Sequence, residues 1–369
     1  MAVGSREYKL MRELVSCGLC GFCLAHCPTF EVLKNEAFSP RGRMIYTDLL
    51  LKEIIPVEKE ILDAVFSCTN CQTCQYTCPT SVKVSELIIY LREQLSKKGA
   101  PIPQKFKEIV MELSEKGRLF SYPPDNIVKK GNPKSERLLF AGCVASSQLS
   151  NLLEITTKIM STVGLDFKVF ADENCCGGFL KILGLREEFK KLAQKNVEKF
   201  EEEGIEEVIT ICPLCAETLK QDYAEVTSKS INIKHVVQVL CELLDNGKLK
   251  FANSIPIKCV YHDPCHLGRH MEIYDEPRKI LEAIPGLKLM EIEDMSKELS
   301  FCCGGPIREP FRDLAWKMSE KICEEAKKIG ANTIVTTCPT CNRNISFNAL
   351  QHEIKVQDIL EIVAKALNI

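Results

Sequence analysis

Residues Asn174–Gly178 read NCCGG, and residues Phe301–Gly305 read FCCGG. Each adjacent cysteine pair is followed by a C-x2-C pair, which reads CPLC at Cys212–Cys215 and CPTC at Cys338–Cys341. Cys302 lies 127 residues after Cys175, and Cys338 lies 126 residues after Cys212. A repeat at one fixed period is typical of a duplicated structural unit. The sequence therefore predicts two similar lobes that face one another.

Short apolar runs lead to these cysteines. The runs LLFAGCV, VITICPLC, IKCVYHDPC and TIVTTCPTC each predict a buried strand whose last residue delivers a cysteine. Longer amphipathic helices are predicted between the runs, at Glu187–Glu203 and Leu314–Ile329 among others. This alternation of strands and helices predicts an α/β fold for the duplicated part.

Each repeat contains a set of five cysteines. The first set is Cys143, Cys175, Cys176, Cys212 and Cys215, and the second is Cys265, Cys302, Cys303, Cys338 and Cys341. Five cysteines exceed what one zinc ion or one cubane cluster requires, whereas adjacent cysteines can hold two different irons of a larger cluster. The glycines after each pair would let the backbone approach the inorganic core closely; they are Gly177, Gly178, Gly304 and Gly305. The alternative is a turn with one ligand and one buried thiol.

Eight further cysteines lie in two runs near the N-terminus. Cys17–Pro28 reads CGLCGFCLAHCP and Cys68–Pro79 reads CTNCQTCQYTCP, and both follow C-x2-C-x2-C-x3-C-P. In bacterial two-cluster ferredoxins, the fourth cysteine of each such run binds the other cluster. The spacing predicts one [4Fe–4S] cluster held by Cys17, Cys20, Cys23 and Cys78, and another held by Cys68, Cys71, Cys74 and Cys27. Paired zinc sites are the alternative, but neither run contains a separate C-x2-C pair at zinc-knuckle spacing.

The remaining composition is that of an ordinary globular protein. The chain has 369 residues, 27% of them charged, and a net charge of −2, so no basic field indicates nucleic-acid binding. The N-terminal MAVGSREYKLMREL lacks an apolar leader, and no run of about 18 apolar residues predicts a membrane helix. These features predict a reducing compartment, where the 21 cysteines would bind metal. Cys241, Cys259 and Cys323 remain outside the sets and are expected to be buried structural thiols.

A stretch rich in proline, glycine, asparagine and charge marks a boundary between the two parts. The predicted organisation is a two-[4Fe–4S] ferredoxin-like domain at 1–98, a linker at 99–136, and two lobes at 137–252 and 253–369.

The spacing C-x(31–39)-CC-x(35–36)-C-x2-C resembles that of the CCG domain of heterodisulfide reductases, although the second set is one residue short in its second gap. The whole chain resembles the heterodisulfide reductase subunit that joins a two-cubane ferredoxin module to a two-lobed CCG module. It is also similar to iron–sulfur subunits of glycolate, lactate and glycerol-3-phosphate oxidising complexes. The stretches CGFCLAHCPTF…SPRGRM (Cys20–Met44) and HDPCHLGR (His262–Arg269) are similar to both branches. Arg41 and Arg43 are expected to hold the ferredoxin-like part together or to contact a partner.

The resemblance implies an α+β protein: a mainly helical ferredoxin-like N-terminal domain followed by two duplicated α/β, Rossmann-like CCG lobes. It also implies a noncubane [4Fe–4S] cluster in each five-cysteine set, which we call the first and second CCG sets. The glycolate-type subunits often have a degenerate second set. Because both sets are complete here, the disulfide-reductase branch is favoured.

Two function classes follow. In the first, the chain is an enzyme subunit that passes electrons from two cubanes to two noncubane clusters and reduces a disulfide. His262 and His266 flank Cys265; one could give a proton to a leaving thiolate or tune the cluster, and the alternative is that they fix a tight turn. In the second, the chain is an electron carrier between a flavin-dependent 2-hydroxy acid dehydrogenase and a quinone or another acceptor. A structural zinc protein is a third, weaker interpretation.

The expected partners are other redox subunits. No G-x-G-x-x-G follows a predicted strand, so flavin or nicotinamide chemistry would belong to a partner. That partner would be a flavoprotein, or a membrane cytochrome or quinone-reactive subunit, and the substrate a small thiol or disulfide. The expected location is the cytoplasm, with or without attachment to the inner face of the membrane through a partner subunit.

Overall fold

The computed structural model describes residues 5–229 and 231–369. Its N-terminal part is built from helices and connecting turns. Six helices occur here: α1 (Arg6–Ser16), α2 (Pro28–Leu33), α3 (Pro40–Leu51), α4 (Lys59–Phe66), α5 (Thr73–Tyr76) and α6 (Val84–Lys97). The sequence prediction of a helix at Ser85–Leu95 is confirmed by α6, which is longer by one residue at the start and two at the end.

The predicted linker contains two helices, α7 (Gln104–Lys116) and α8 (Asp125–Val128). Helix α7 buries Phe106 and Leu113 on one face, and Gly117 ends it with the left-handed conformation (φ 73°) that glycine adopts readily. This segment therefore packs against the rest of the protein along a good part of its length.

The chain then forms a three-stranded parallel sheet with helices around it. Its elements are β1 (Arg137–Phe140), α9 (Cys143–Gln148), α10 (Ser150–Thr162), α11 (Gly178–Ile182), α12 (Arg186–Glu202), β2 (Glu207–Thr210), α13 (Pro213–Glu217), β3 (Asn232–His235) and α14 (Val236–Asp245). A four-stranded parallel sheet follows, with β4 (Lys258–Tyr261), α15 (Asp275–Glu282), β5 (Lys288–Met290), α16 (Arg312–Lys328), β6 (Thr333–Thr336), α17 (Pro339–Ala349), β7 (Lys355–Asp358) and α18 (Ile359–Leu367). The predicted helices at 187–203 and 314–329 correspond to α12 and α16.

The two sheets have corresponding strand orders. The first is β1-β2-β3 and the second is β5-β4-β6-β7. Lys168 forms an isolated parallel bridge to Leu138 of β1, in the position that β5 takes beside β4. The mixed helix and parallel-sheet architecture agrees with the α/β texture and the repeat of the sequence.

The cysteines lie just beyond the carboxyl ends of the strands. Cys143, Cys212, Cys265 and Cys338 follow β1, β2, β4 and β6 within two to four residues. The expectation that each strand ends in its cysteine is wrong, because the strands stop earlier and the cysteines belong to the segments that follow. Cys212 and Cys338 are the N-caps of α13 and α17, and proline takes the first helical position after each. Ligands of parallel α/β sheets gather at this edge of the sheet.

Phe106 of α7 joins the three parts of the chain. Its ring lies 6.4 Å from that of Phe66 in the N-terminal part, 5.5 Å from Phe179 in α11 and 6.4 Å from Phe311 before α16. Only 1% of Phe106 is exposed. The predicted linker thus supplies a packing centre rather than a loose tether. Within residues 5–229 and 231–369, none of the helices has the length and apolar character required to span a bilayer.

Replacing Phe106 should therefore destabilise the whole chain. We expect Phe106→Ala to lower the free energy of unfolding by about 3–5 kcal/mol, because it leaves a cavity where three aromatic rings meet. Met111→Ala is the matched control on the same helix, since Met111 is 51% exposed, and it should change stability by no more than about 0.5 kcal/mol. Anaerobic urea unfolding followed by circular dichroism measures both. Equal, small effects would contradict the central role of Phe106.

Candidate metal centre

Four cysteines surround a small cavity near the N-terminus. Cys17, Cys20, Cys23 and Cys78 line a space of about 400 Å³, and we call them the distal quartet. Cys20 is exposed. The backbone N–H of Val82 donates a hydrogen bond to Cys78 Sγ at 3.4 Å. The first three cysteines come from one run and the fourth from the other, which is the combination that the spacing predicts.

The other four N-terminal cysteines line a second cavity, of about 390 Å³. They are Cys27, Cys68, Cys71 and Cys74, the proximal quartet. The buried guanidinium of Arg43 donates to Cys27 Sγ (3.9 Å), Thr29 Oγ1 (3.0 Å) and Ala64 O (2.8 Å). These contacts confirm the expectation that Arg43 helps to hold the N-terminal part together. Cys74 lines both cavities, so the two quartets are neighbours.

The thiols of each CCG set lie side by side. In the first set, neighbouring thiols shift each other's pKa in the order Cys143, Cys175, Cys176, Cys215 and Cys212. In the second set, the order is Cys265, Cys302, Cys303, Cys341 and Cys338. The Sγ atoms of Cys303 and Cys341 are 3.4 Å apart. Adjacent cysteines thus contribute to one sulfur cluster in each set.

Both sets open onto the same space. All ten of their cysteines line a single cavity, which we call the central cavity. Ile109, Leu119, Phe179 and Leu214 form an apolar wall, and His266 also reaches the cavity. Because the cavity lies between the carboxyl edges of the two sheets, one bound molecule could touch both sets.

Two protein families match the parts of the chain that carry these cysteines. Residues 138–220 and 259–346 each match the cysteine-rich domain family CCG. Residues 13–82 match the 4Fe-4S dicluster domain family. A subunit of the dihydromethanophenazine:CoB–CoM heterodisulfide reductase from Methanosarcina barkeri is 31% identical to this chain, over 97% of this chain and 95% of the relative.

The chain belongs to the family of this heterodisulfide reductase subunit. It is an iron–sulfur electron-transfer protein, and it is also similar to other oxidoreductases. A subunit of the fumarate reductase (CoM/CoB) from Methanothermobacter marburgensis is 26% identical over 98% of this chain and 74% of the relative. The EtfAB:quinone oxidoreductase of Syntrophomonas wolfei is 25% identical over 98% of this chain and 59% of the relative.

A solved structure shares the fold. The crystal structure of a hypothetical protein from Helicobacter pylori superposes with a TM-score of 0.60 at 12% sequence identity. The match covers 90% of this chain and 68% of that chain. At this identity the likeness shows the fold alone.

The cysteine thiols of this chain fit iron–sulfur clusters. Burial, together with the neighbouring thiols of Cys71 and Cys68, raises the pKa of Cys74 well above its usual value. Burial and the nearby Cys27 and Cys17 raise the pKa of Cys23 to about 12. Thiols packed in this way become thiolates only when cations lie between them, as in a metal site. Backbone N–H groups of Gly177 and Gly305 also donate to Cys175 Sγ (3.5 Å) and Cys303 Sγ (3.4 Å).

A buried arginine accompanies each CCG set. Arg118 lies near Cys143 and donates from Nη1 to Glu173 O at 2.5 Å. Arg269 lies near Cys265 and Cys302. Among the described residues, Arg118 Nε and Nη2 and Arg269 Nη2 are buried without a hydrogen-bond partner. Free N–H donors of a cation beside cysteine sulfurs are suited to hydrogen-bond the sulfur atoms of a cluster.

Glu217 joins two histidines of the second CCG region. It follows Cys215, and its carboxylate accepts hydrogen bonds from Nδ1 of His266 and, at 2.9 Å, from Nδ1 of His270. Burial alone would raise the pKa of Glu217, but His270 and His266 outweigh it and hold this pKa well below its usual value. His266 also lines the central cavity, and its Nε2 is the ring nitrogen that Glu217 does not bind. Within the described part of the chain that atom is buried and has no hydrogen-bond partner.

His262 has a different place from His266. Its ring nitrogen and the Sγ atoms of Cys303 and Cys341 lie within 4.8 Å of one another. Burial lowers the pKa of His262 to about 4. His262 therefore abuts the second CCG set as a neutral imidazole, whereas His266 is the histidine that lines the cavity.

The first glycine after each cysteine pair has a backbone conformation that its turn requires. Gly177 and Gly304 have φ angles of 79° and 81°. A Cβ atom at Gly177 would lie 2.9 Å from the ring of Phe189, and one at Gly304 would lie 2.9 Å from Ala315 Cα. These glycines let α12 and α16 pack directly behind the cysteine pairs. Gly305 also lines the central cavity, and the approach of the backbone to an inorganic core stays a prediction.

Sequence reasoning missed Glu217, His270, Arg118 and Arg269. Their partners lie far away along the chain, so no local spacing marks them. Cys241, Cys259 and Cys323 are buried, which confirms the expectation. They line neither the cavities of the two quartets nor the central cavity.

Cys78 tests the exchange of ligands between the two runs. We expect Cys78→Ser to lose the cluster of the distal quartet and about four irons per chain, while the proximal cluster stays. Cys241→Ser is the control, because that buried thiol lies outside the quartets. Iron analysis and electron paramagnetic resonance of the reduced protein measure both effects. Loss of the proximal signal instead would contradict the assignment.

Proposed function

We propose that this chain is the iron–sulfur subunit of a disulfide-reducing oxidoreductase. In this proposal the distal and proximal quartets each hold a cubane [4Fe–4S] cluster, and each CCG set holds a noncubane [4Fe–4S] cluster. The observation that carries the proposal is the central cavity, because all ten CCG cysteines line it. Clusters in these positions supply one-electron steps when bound.

A disulfide suits a cavity that two redox sites share. Its reduction adds two electrons and two protons, breaks one S–S bond and releases two thiols. Two sites on opposite sides of one cavity could each deliver one electron and each lie next to one of the two sulfur atoms. A site built only for passing electrons onward does not require a cavity that both CCG sets share.

The protein groups around the cavity have separate tasks in this proposal. The apolar wall of Ile109, Leu119 and Phe179 excludes water from the sulfur atoms. Nε2 of His266 can hydrogen-bond a sulfur atom of the bound disulfide or thiol, and Glu217 orients that ring through Nδ1. At the rim, Arg343 and Glu309 form an ion pair at 3.5 Å.

The domain organisation proposed here follows the sequence. A ferredoxin-like domain at 1–98 receives electrons, lobes at 137–252 and 253–369 carry one CCG set each, and the segment 99–136 joins them. The protein would work in the cytoplasm, alone or held at the inner face of the membrane by a partner.

A carrier role is the second candidate. The similarity to EtfAB:quinone oxidoreductase over 98% of this chain favours it. In that case the clusters would pass electrons from a flavin-dependent 2-hydroxy acid dehydrogenase to a quinone or another acceptor, and no bond would break in the central cavity. In either case the partners would be redox subunits, such as a flavoprotein or a membrane cytochrome.

Iron content and a thiol-dependent signal separate the two functions. The anaerobically purified chain should contain about sixteen irons, as four [4Fe–4S] clusters require. When candidate thiols are added to the oxidised protein, a new electron paramagnetic resonance signal should appear, because a thiol sulfur would lie against a cluster in the central cavity. Alcohols of the same shape are the control and should give no signal.

The iron content and the thiol response together distinguish disulfide reduction from the carrier role. About sixteen irons without any thiol response would contradict disulfide reduction and favour the carrier. About eight irons would mean that the CCG sets bind no cluster, and the proposal for the central cavity would fail. Zinc is measured in the same samples, since zinc in place of iron would support a structural role.

A further inference from the structure

Two hydrogen bonds and one close polar contact join the loop of the proximal quartet to the loop of the second CCG set. Arg269 Nε donates to Cys71 O at 2.5 Å, and Tyr76 Oη donates to Arg269 O at 2.9 Å. His270 Nε2 lies 3.0 Å from Asn70 O. The segments 70–76 and 265–270 are therefore held in one fixed position relative to each other, although they are about two hundred residues apart.

The same loops bring cysteines of two different groups close together. Cys71 of the proximal quartet and Cys302 of the second CCG set lie near enough for each thiol to shift the pKa of the other. The cysteines that act most on the thiols of the first CCG set belong to that set itself. The second CCG set is thus the neighbour of the proximal quartet.

Arg269 lies at this junction, and its charge is not balanced by a carboxylate. Its guanidinium is buried and donates to three carbonyl oxygens, those of Cys71, Glu298 and Ser300. Within residues 5–229 and 231–369, no Asp or Glu side chain forms an ion pair with it. Its titratable neighbours are the thiols of Cys71, Cys265 and Cys302 and the phenol of Tyr274.

The arginine beside the first set is different. Arg118 has the carboxylate of Glu173 at 3.9 Å, and both side chains are almost fully buried. A carboxylate that close offsets much of the field of the guanidinium. The first CCG set is therefore next to a paired cation and the second next to an unpaired one.

An unpaired cation in a low-dielectric region favours the more negative, reduced state of a nearby redox group. We propose that Arg269 is a positioning residue that makes the second CCG set, not the first, the electron acceptor of the proximal quartet; the inference rests on the proposed function. One electron leaves the iron of the proximal quartet and arrives at the iron of the second set. No bond forms or breaks, and the redox partner subunit replaces the electron. The first set then receives electrons only from the second, across the central cavity.

Redox titrations followed by electron paramagnetic resonance test the charge. Arg269→Gln should shift the potentials of the proximal and second-set clusters to lower values and leave the distal potential unchanged. Arg269→Lys keeps the charge and should restore part of the shift, which a merely structural role would not produce. Arg118→Gln is the matched control and should affect the first set only. An unchanged proximal or second-set potential in iron-replete Arg269→Gln would overturn the proposal.

A second measurement keeps Arg269 intact and tests the order of the sets. Cys176→Ser and Cys303→Ser disable equivalent cysteines of the first and second sets and also assign their signals. After the Cys303→Ser variant is mixed with a one-electron donor, its first set should no longer be reduced rapidly. In Cys176→Ser, the second set should be reduced at the same rate as in the unaltered protein. The opposite pattern, or rapid reduction of the first set in Cys303→Ser, would contradict the proposed order.

The two proposals fail in different ways. If the unaltered chain contains only about eight irons, the proposed function fails. If it contains about sixteen and shows the thiol-dependent signal, but the two cysteine variants behave alike, the proposed function stands and the electron route through the second set is wrong.

Discussion

A buried thiolate is stable only where positive charge lies near it. Here the quartets and CCG sets hold eighteen cysteine sulfurs close together, many of them buried, and the protein supplies few cations to balance them. In the part of the chain that the structure describes, four buried guanidinium groups lie near these sulfurs, those of Arg43, Arg92, Arg118 and Arg269. Four cations cannot offset so many thiolates. The packing of the cysteines therefore depends on iron, and the arginines adjust the charge that iron leaves uncompensated.

The fold meets this requirement by bringing the carboxyl ends of neighbouring parallel strands together. In each parallel sheet, the carboxyl ends of two neighbouring strands lead into cysteines. The helix after β2 and the helix after β6 each begin at a cysteine and a proline. Cys27-Pro28, Cys212-Pro213 and Cys338-Pro339 all start helices in this way. Proline at the first helical position needs no partner for a backbone N–H. The free N–H groups of the first turn then point toward the sulfurs, as Cys341 N does toward Cys338 Sγ at 3.4 Å.

The sequence predicted the groups whose spacing is local. The two quartets follow from C-x2-C-x2-C-x3-C-P because three of the four ligands lie within seven residues. Helices α6, α12 and α16 were predicted within about two residues because their apolar faces repeat at helical spacing. Strands β3, β5 and β7 were missed. NIKH and KVQD contain one apolar residue each, and β5 is only three residues long. Arg269 and Phe106 were missed because their roles come from partners far along the chain, and no local pattern encodes such contacts.

The duplicated framework carries different side chains on its two halves. After β1 the chain continues with small apolar residues, whereas after β4 it contains His262, His266, Arg269 and His270. The cavity consequently has an apolar wall beside the first CCG set and a more polar wall beside the second, where Arg343 and Glu309 also lie. Duplication explains why two equal sulfur sets meet at one cavity. The different side chains explain why they need not act equally: the set with an unpaired cation and a contact to the proximal quartet is suited to accept electrons, and the set in apolar surroundings is suited to complete the second half of a two-electron reaction.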